Sequence, residues 1–285
     1  MNSIVEEHER KNYLISVDGS NHSEWGFDLI FKEIYQKNDY ITVIHVLNPN
    51  KNDVPFKYQP EQIMTKYESK LIGKLSKNDF VLIRKPRDNT SEHALQVVNE
   101  VAKKNNTDMI IIGTQGHKGV KSKKEVSKGI MYIVKNIHIP SLVIKENSQR
   151  EKKENKAFTW LICLENHYTR SYKTFEFVTT LIAREKDIII GLNLWQIDHN
   201  RELEDIFEKF CSKMGIKNRR FLSIEKNPDL SIGKNICDIV NFGDDFIDFV
   251  SIGHNISKYS EPDTSPTIEI IKYARANILF SSKAQ

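Results

Sequence analysis

The residues with the clearest potential for chemistry lie in the segment Gly113 to Gly129, which reads GTQGHKGVKSKKEVSKG and follows the apolar run Met109 to Ile112. The segment combines four glycines with a series of lysines and one histidine. Glycines let backbone N–H groups approach phosphate oxygens closely, and the N-terminus of a following helix adds a favourable dipole. This composition indicates a phosphate-binding loop, with a solvated surface loop as the alternative.

A second candidate is Asp18, which follows the apolar run Tyr13 to Val17 in the sequence Asp-Gly-Ser. A buried strand, a tight turn and a helix capped by Asn21 or Ser23 explain this order of residues. Asp18 therefore reads either as a ligand contact or as an ordinary turn aspartate. His45 and His117 have no acid or nucleophile partner nearby in the sequence, so we interpret both as packing or surface residues.

Composition excludes several classes of protein. The 42 basic and 38 acidic residues give a net charge of only +4, and no basic stretch is interleaved with aromatics, so we expect no nucleic-acid partner. No apolar run approaches the length of about 18 residues that a membrane span needs, and the first residues resemble no leader peptide, so we expect a cytoplasmic protein without a membrane partner. Cys163, Cys211 and Cys237 are too widely spaced for a zinc site, and we interpret them as core residues.

These residues must be positioned by alternating strands and helices. Short apolar runs predict five strands in the first half of the chain: Tyr13–Val17, Tyr40–Leu47, Phe80–Arg84, Met109–Ile112 and Ser141–Ile144. Helical periodicity fills the intervals between them, most clearly over Glu24–Gln36 and around Ala94–Val101. The alternation predicts an α/β fold in which helices cover both faces of a parallel sheet.

The second half of the chain repeats this order. Thr159–Leu164 corresponds to the first strand, Asp187–Leu194 to the second, and Phe249–Gly253 to the fourth. The offset drifts from 147 between Asp18 and Glu165 to 137 between Lys135 and Lys272, as unequal loops in a duplicated domain would produce. We predict a tail at 1–11, a domain at 12–146, a linker at 147–156 and a second domain at 157–282.

The order of these motifs resembles the universal stress protein family. The similarity rests on a strand ending in Val17-Asp-Gly-Ser20, a strand ending in Ile44-His-Val46, and the block Asp108 to Gly119. It extends to the closing helix and strand, Tyr132 to Ile144. The resemblance implies two doubly wound, Rossmann-like domains, each with a five-stranded parallel sheet of order 3-2-1-4-5, paired edge to edge through their fifth strands. We also consider a homodimer.

The same resemblance implies a nucleotide site in the first domain. Family members that bind ATP use an aspartate after the first strand, a backbone group of the second strand, and a Gly-2x-Gly-9x-Gly-(Ser/Thr) loop. The matching positions are Ser16, Asp18, Val46, Gly113, Gly116, Ser127 and Lys128. The ligand would be ATP or AMP, with or without Mg²⁺, bound at the crevice where the strand order reverses. No metal-ligand set or catalytic motif is present, so we expect no enzyme activity beyond slow incidental hydrolysis of ATP.

The match has one departure. Ser127 stands where the loop's last glycine is expected, ten residues after Gly116 instead of nine. A second frame, from Gly116 through Gly119 to Gly129, keeps the spacing but shifts the loop out of register with the strand. We prefer the first frame, in which nearby lysines such as Lys128 offset the lost glycine by pairing with phosphate.

The second domain lacks most of these features. Glu165 replaces the aspartate, the loop 257–266 has no glycine, and Ser265-Pro266 is a helix-start signal. We expect this domain to be a structural partner. Two functions stay open at this point: a stress-response or signalling module that binds an adenine nucleotide, and a nucleotide-free interaction or scaffold protein.

Overall fold

A computed structural model describes residues 9–48, 55–87, 93–115, 126–146, 157–164, 168–182, 185–195, 201–254 and 265–282. The first half contains these elements: β1 Asn12–Ser16, α1 Asn21–Leu29, β2 Tyr40–Leu47, α2 Pro60–Leu71, β3 Phe80–Pro86, α3 Ala94–Lys104, β4 Met109–Gly113, α4 Lys128–Asn136 and β5 Ser141–Ile144. The second half contains these: β6 Thr159–Leu164, α5 Tyr168–Thr179, β7 Ile188–Trp195, α6 Arg201–Lys213, β8 Arg219–Glu225, α7 Ile232–Phe242, β9 Phe249–His254, α8 Pro266–Tyr273 and β10 Asn277–Ser282.

All ten of these strands form one sheet, in the order β3-β2-β1-β4-β5-β10-β9-β6-β7-β8. Within each half the neighbouring strands are parallel, as the helical crossovers between them require. The halves meet where β5 and β10 pair antiparallel, with Leu142 opposite Leu279. The pairing covers an edge of each half that would otherwise present unpaired backbone groups to solvent.

Two apolar layers enclose the sheet, one on each face. Helices α1, α2, α5 and α6 cover one face through buried residues such as Phe27, Tyr67 and Phe207. Helices α3, α4, α7 and α8 cover the other through residues such as Val98 and Ile268. Each layer runs across both halves, so the central strands are buried on both sides and their sequences are continuous apolar runs, not alternating ones.

The strand order reverses beside β1, which lies between β2 and β4. The segments that leave β1 and β4 at their carboxyl ends therefore diverge to opposite faces and leave a crevice between them. This crevice is where the structure brings together the residues of the candidate site. The domain boundaries stay a prediction, and the proposed linker 147–156 lies outside the described residues.

Candidate nucleotide-binding site

The turn after β1 is built around Asp18. Its Oδ1 atom accepts a hydrogen bond from the Ser20 backbone N–H at 3.0 Å. Between them, Gly19 has a φ of +81°, a left-handed conformation that side chains disfavour, and a Cβ there would lie 2.9 Å from the Tyr58 ring. The turn is therefore fixed by its own residues, and it directs the chain into α1 beside the crevice.

Helix α1 is capped by Ser20, and not by Asn21 or Ser23 as the sequence predicted. The Ser20 Oγ atom accepts from the Ser23 N–H at 3.3 Å. Ser23 supports the cap from inside the helix, because its hydroxyl donates to the Ser20 carbonyl at 2.9 Å and accepts from the Asp18 N–H at 3.4 Å. The prediction was wrong because Ser20, Asn21 and Ser23 are all good N-cap residues. The tight turn at Gly19 places Ser20 at the cap position.

Gly113, the last residue of β4, lies against the start of α1. A Cβ on Gly113 would lie 2.7 Å from the Cβ of His22 and 3.3 Å from the Ser23 nitrogen. Only glycine permits this approach, so Gly113 has a structural role whatever else it does. The close approach also brings the first turn of α1 to the carboxyl end of β4, where the predicted phosphate loop starts.

His22 is a candidate site residue that sequence reasoning missed. Its ring is half-buried and lies 5.0 Å from the Trp25 ring. Burial lowers the pKa of His22 below its usual value, although the neighbouring Asp18 carboxylate opposes the shift. The imidazole is therefore mainly uncharged at pH 7. In that state one ring nitrogen donates a hydrogen bond and the other accepts one. Its position two residues after Asp18-Gly19-Ser20 was the available signal.

The end of β2 contributes His45 and Val46. The Nδ1 atom of buried His45 donates to the Val17 carbonyl at 2.8 Å, since a carbonyl can only accept. This bond confirms the interpretation of His45 as a packing residue. Val46 is half-buried and packs against the apolar layer under α3 and α4. Ser16 ends β1 opposite Ile44, two residues before Val46 on β2.

The last residues of the predicted loop, Ser127 and Lys128, lie at the start of α4. Ser127 caps α4, with its Oγ accepting from the Ile130 N–H at 3.2 Å. Lys128 is the first residue of α4 and lies at its surface. Gly129, the end of the second frame, lies inside α4 and packs against Leu95. Gly116 lies outside the described residues.

Comparisons of sequence find no relative: no family model matches, and no curated protein does. Solved structures do match. A universal stress protein from Archaeoglobus fulgidus aligns with 96% of this chain and 98% of its own at a TM-score of 0.66 and 13% identity. The chain has the universal stress protein fold. A candidate universal stress protein from Pseudomonas aeruginosa agrees, with 96% and 94% of the two chains covered, a TM-score of 0.61 and 8% identity.

The two halves of this universal stress protein fold share one feature at the amino ends of their strands: aspartate side chains that accept hydrogen bonds from backbone N–H groups. In the first half, Asp39 and Asp108 accept hydrogen bonds from the Lys11 and Asn12 N–H groups at 2.9 Å and 2.7 Å. In the second half, Asp187 and Asp248 do the same for the Phe158 and Thr159 N–H groups at 3.0 Å and 2.8 Å. These four aspartates escaped sequence reasoning, although each directly precedes a strand. Their carboxylates fix the start of the first strand in each half.

The carboxyl ends of the two halves differ. Asn193 stands in the second half where His45 stands in the first, and its Nδ2 atom is buried without a hydrogen-bond partner among the described residues. Ser265 caps α8 with Pro266 in the first turn, which confirms the predicted helix start. Glu165 and residues 255–264 lie outside the described part of the chain. Within the universal stress protein fold, the amino ends of the strands are therefore alike in the two halves. The carboxyl ends, where a ligand would bind, differ.

No group of three or more potential metal ligands lies among the described residues. No helix in the described part of the chain is long and apolar enough to span a membrane. The three cysteines are free thiols, and burial raises the pKa of Cys211 and of Cys237 to about 12.

Proposed function

We propose that this chain is a stress-response or signalling module that binds ATP or another adenine nucleotide in its first half. The observation that carries the proposal is the convergence of Asp18, His22 and Gly113 at the start of α1, beside the reversal of strand order. A crevice at this place in an open α/β sheet is where such folds bind ligands. The stress role is inferred from fold likeness.

The chemistry of the crevice suits the adenine and ribose end of a nucleotide. The Asp18 carboxylate accepts from the Ser20 N–H, and carboxylate oxygens are the kind of acceptor that hydroxyl and amino groups donate to. A ribose hydroxyl or an adenine amino group supplies the donors that it would bind. The uncharged His22 ring offers a partner of either polarity, and α1 directs its N-terminal dipole toward the same crevice.

In this proposal the second half is a structural partner. Its sheet-building aspartates match those of the first half, whereas Asn193 has replaced His45 at the ligand end. A half that had kept the fold and lost the ligand would keep the residues that build the sheet and change those at the ligand end. The proposal includes no catalytic step beyond slow hydrolysis of bound ATP, and Mg²⁺ enters only as a variable of the test.

A nucleotide-free scaffold is the second candidate. It is favoured by the fact that Asp18 and Gly113 both have structural roles, in the turn and in the approach of α1. Ser127 at the expected glycine position supports it too. This candidate predicts that the two residues matter for stability and not for any nucleotide.

Isothermal titration with ATP and AMP, with and without Mg²⁺, tests the proposal. The decisive variant is Asp18→Asn, which keeps an oxygen for the Ser20 N–H and removes the negative charge. We expect micromolar binding by the wild type, weaker binding by Asp18→Asn at an unchanged melting temperature, and loss of binding in Asp18→Ala, Gly116→Val. The matched control Glu165→Gln changes the corresponding residue of the second half and should bind as the wild type does. Absence of heat at millimolar ATP would favour the scaffold.

A further inference from the structure

A small cavity with a mixed polar and apolar lining lies where the two halves meet, on the sheet face covered by α4 and α8. Its volume is about 50 Å³, which exceeds the space that one ordered water needs. The lining residues come from both halves: Thr114, Gln115, Val126, Ile130, Lys145, Ile271 and Lys272. Thr114, Gln115 and Val126 belong to the two ends of the predicted phosphate loop, and Ile130 follows that loop in α4.

Two lysines are the charged groups among these lining residues, one from each half. The Lys145 Nζ atom donates to the carbonyls of Ile271, at 2.7 Å, and of Ala274, at the carboxyl end of α8. An ammonium group has three N–H donors, so one donor is left without an acceptor among the described residues. Lys272 lies in the last turn of α8 and is half-buried.

The backbone of Lys145 is fixed across the same junction. The side-chain oxygen of buried Asn277 accepts from the N–H groups of Lys145 and Glu146, at 2.8 Å and 3.0 Å. Contacts between the halves therefore fix Lys145 at the junction, and Lys272 lines the same cavity. Burial of Lys145 lowers its pKa to about 8, which is the effect expected when an ammonium group loses its hydration.

We propose that this cavity binds a phosphate group, held by Lys145 from the first half and Lys272 from the second. An anion would offset the burial of the Lys145 charge and neutralise both lysines. It would also lie close to the N-terminus of α4, which Ser127 caps and which favours negative charge. The inference rests on the proposed function insofar as the phosphate belongs to a nucleotide.

The inference changes the role of the second half. Under the proposed function alone, that half supports the sheet and contacts no ligand. With Lys272 on the phosphate, ligand binding would depend on how the halves are joined. A phosphate group could come from ATP or from a free anion such as pyrophosphate, so the test includes both.

The test measures ATP and pyrophosphate affinity of the full chain by isothermal titration in Lys272→Gln and Lys145→Gln. The matched control is Lys135→Gln, because Lys135 holds the same position in α4 that Lys272 holds in α8 and is exposed outside the cavity. We expect Lys272→Gln to weaken binding about tenfold, as the loss of one charge-assisted hydrogen bond does. We expect the control to bind like the wild type. Melting temperatures identify any variant that loses affinity by unfolding.

The outcomes separate the two proposals. ATP binding that depends on Lys272 supports a nucleotide phosphate in the cavity. Pyrophosphate binding that depends on Lys272, in a protein that does not bind ATP, supports the anion site and contradicts the proposed function. If ATP binds equally well to the wild type, Lys272→Gln and Lys145→Gln, the phosphate site is overturned while the proposed function stands. Absence of binding by both ligands overturns both.

Discussion

Replacing Gly113 with alanine tests whether the approach of β4 to α1 builds the site. The new Cβ would lie 2.7 Å from the Cβ of His22, whereas carbon atoms in contact are about 3.5 Å apart. The shortfall is about 0.8 Å. The Cβ of His22 and the nearby Ser23 nitrogen cannot rotate away as the tip of a long side chain can, so α1 itself must move.

Overpacking of this kind costs about 1–3 kcal/mol, and we expect Gly113→Ala to lose that much free energy of unfolding. The displacement would also move the turn in which the Asp18 N–H donates to Ser23, so ATP affinity should fall in parallel. Urea unfolding followed by circular dichroism measures the first effect, and isothermal titration measures the second.

Gly129→Ala is the matched control. A Cβ there would lie 2.9 Å from the Leu95 Cδ1 atom, the mobile end of a flexible side chain. Alanine in a helix interior is favoured over glycine by about 0.5–1 kcal/mol, so this variant should be as stable as the wild type or slightly more stable. If Gly113→Ala unfolds at the same urea concentration as Gly129→Ala and keeps its ATP affinity, the argument about the approach of α1 is wrong.

Three further predictions concern the rest of the chain. Asp39→Asn should lower the free energy of unfolding by about 1–3 kcal/mol in urea titrations, because an amide cannot accept from both of the backbone N–H groups that Asp39 binds. Between pH 8 and pH 10.5 the folded wild type releases the Lys145 proton before the unfolded chain does, so its stability should rise with pH relative to Lys145→Met. The rise is at most about 3 kcal/mol, and a pH-independent difference would contradict the burial of the charge. Cys211 and Cys237 should react with a disulfide reagent at pH 8 far more slowly in the native protein than in urea, since few of their buried thiols are ionised.

The central strands of the sheet could be predicted from the sequence because they are buried on both faces. A short apolar run between two helices, such as Met109 to Ile112, is typical of a strand in a parallel sheet. The place of the crevice came from the strand order that the family resemblance implied, and Asp18 and Gly113 directly follow the two predicted strands that border it. The pairing of β5 with β10 came from family resemblance and not from periodicity, because no local pattern specifies which edges meet.

The details of the site escaped sequence reasoning because they depend on contacts between distant elements. His22 is placed at the candidate site by its contact with Gly113, which lies 91 residues away in the sequence. The predicted helix Glu24–Gln36 begins earlier, at Asn21, and ends in a π-helical turn, Ile30–Ile34, in which the Tyr35 N–H donates to the Ile30 carbonyl at 2.7 Å. Such a turn has no signature in apolar spacing.

The most direct test of the central claim uses the chain's three tryptophans as reporters in a nitrogen-15 spectrum during titration with ATP. Trp25 lies beside His22 at the candidate site, whereas Trp160 and Trp195 belong to β6 and β7 of the second half. The account predicts that the indole resonance of Trp25 shifts and saturates while the other two stay in place. A shift of Trp195 alone, or no shift at millimolar ATP, would contradict a nucleotide site in the first half.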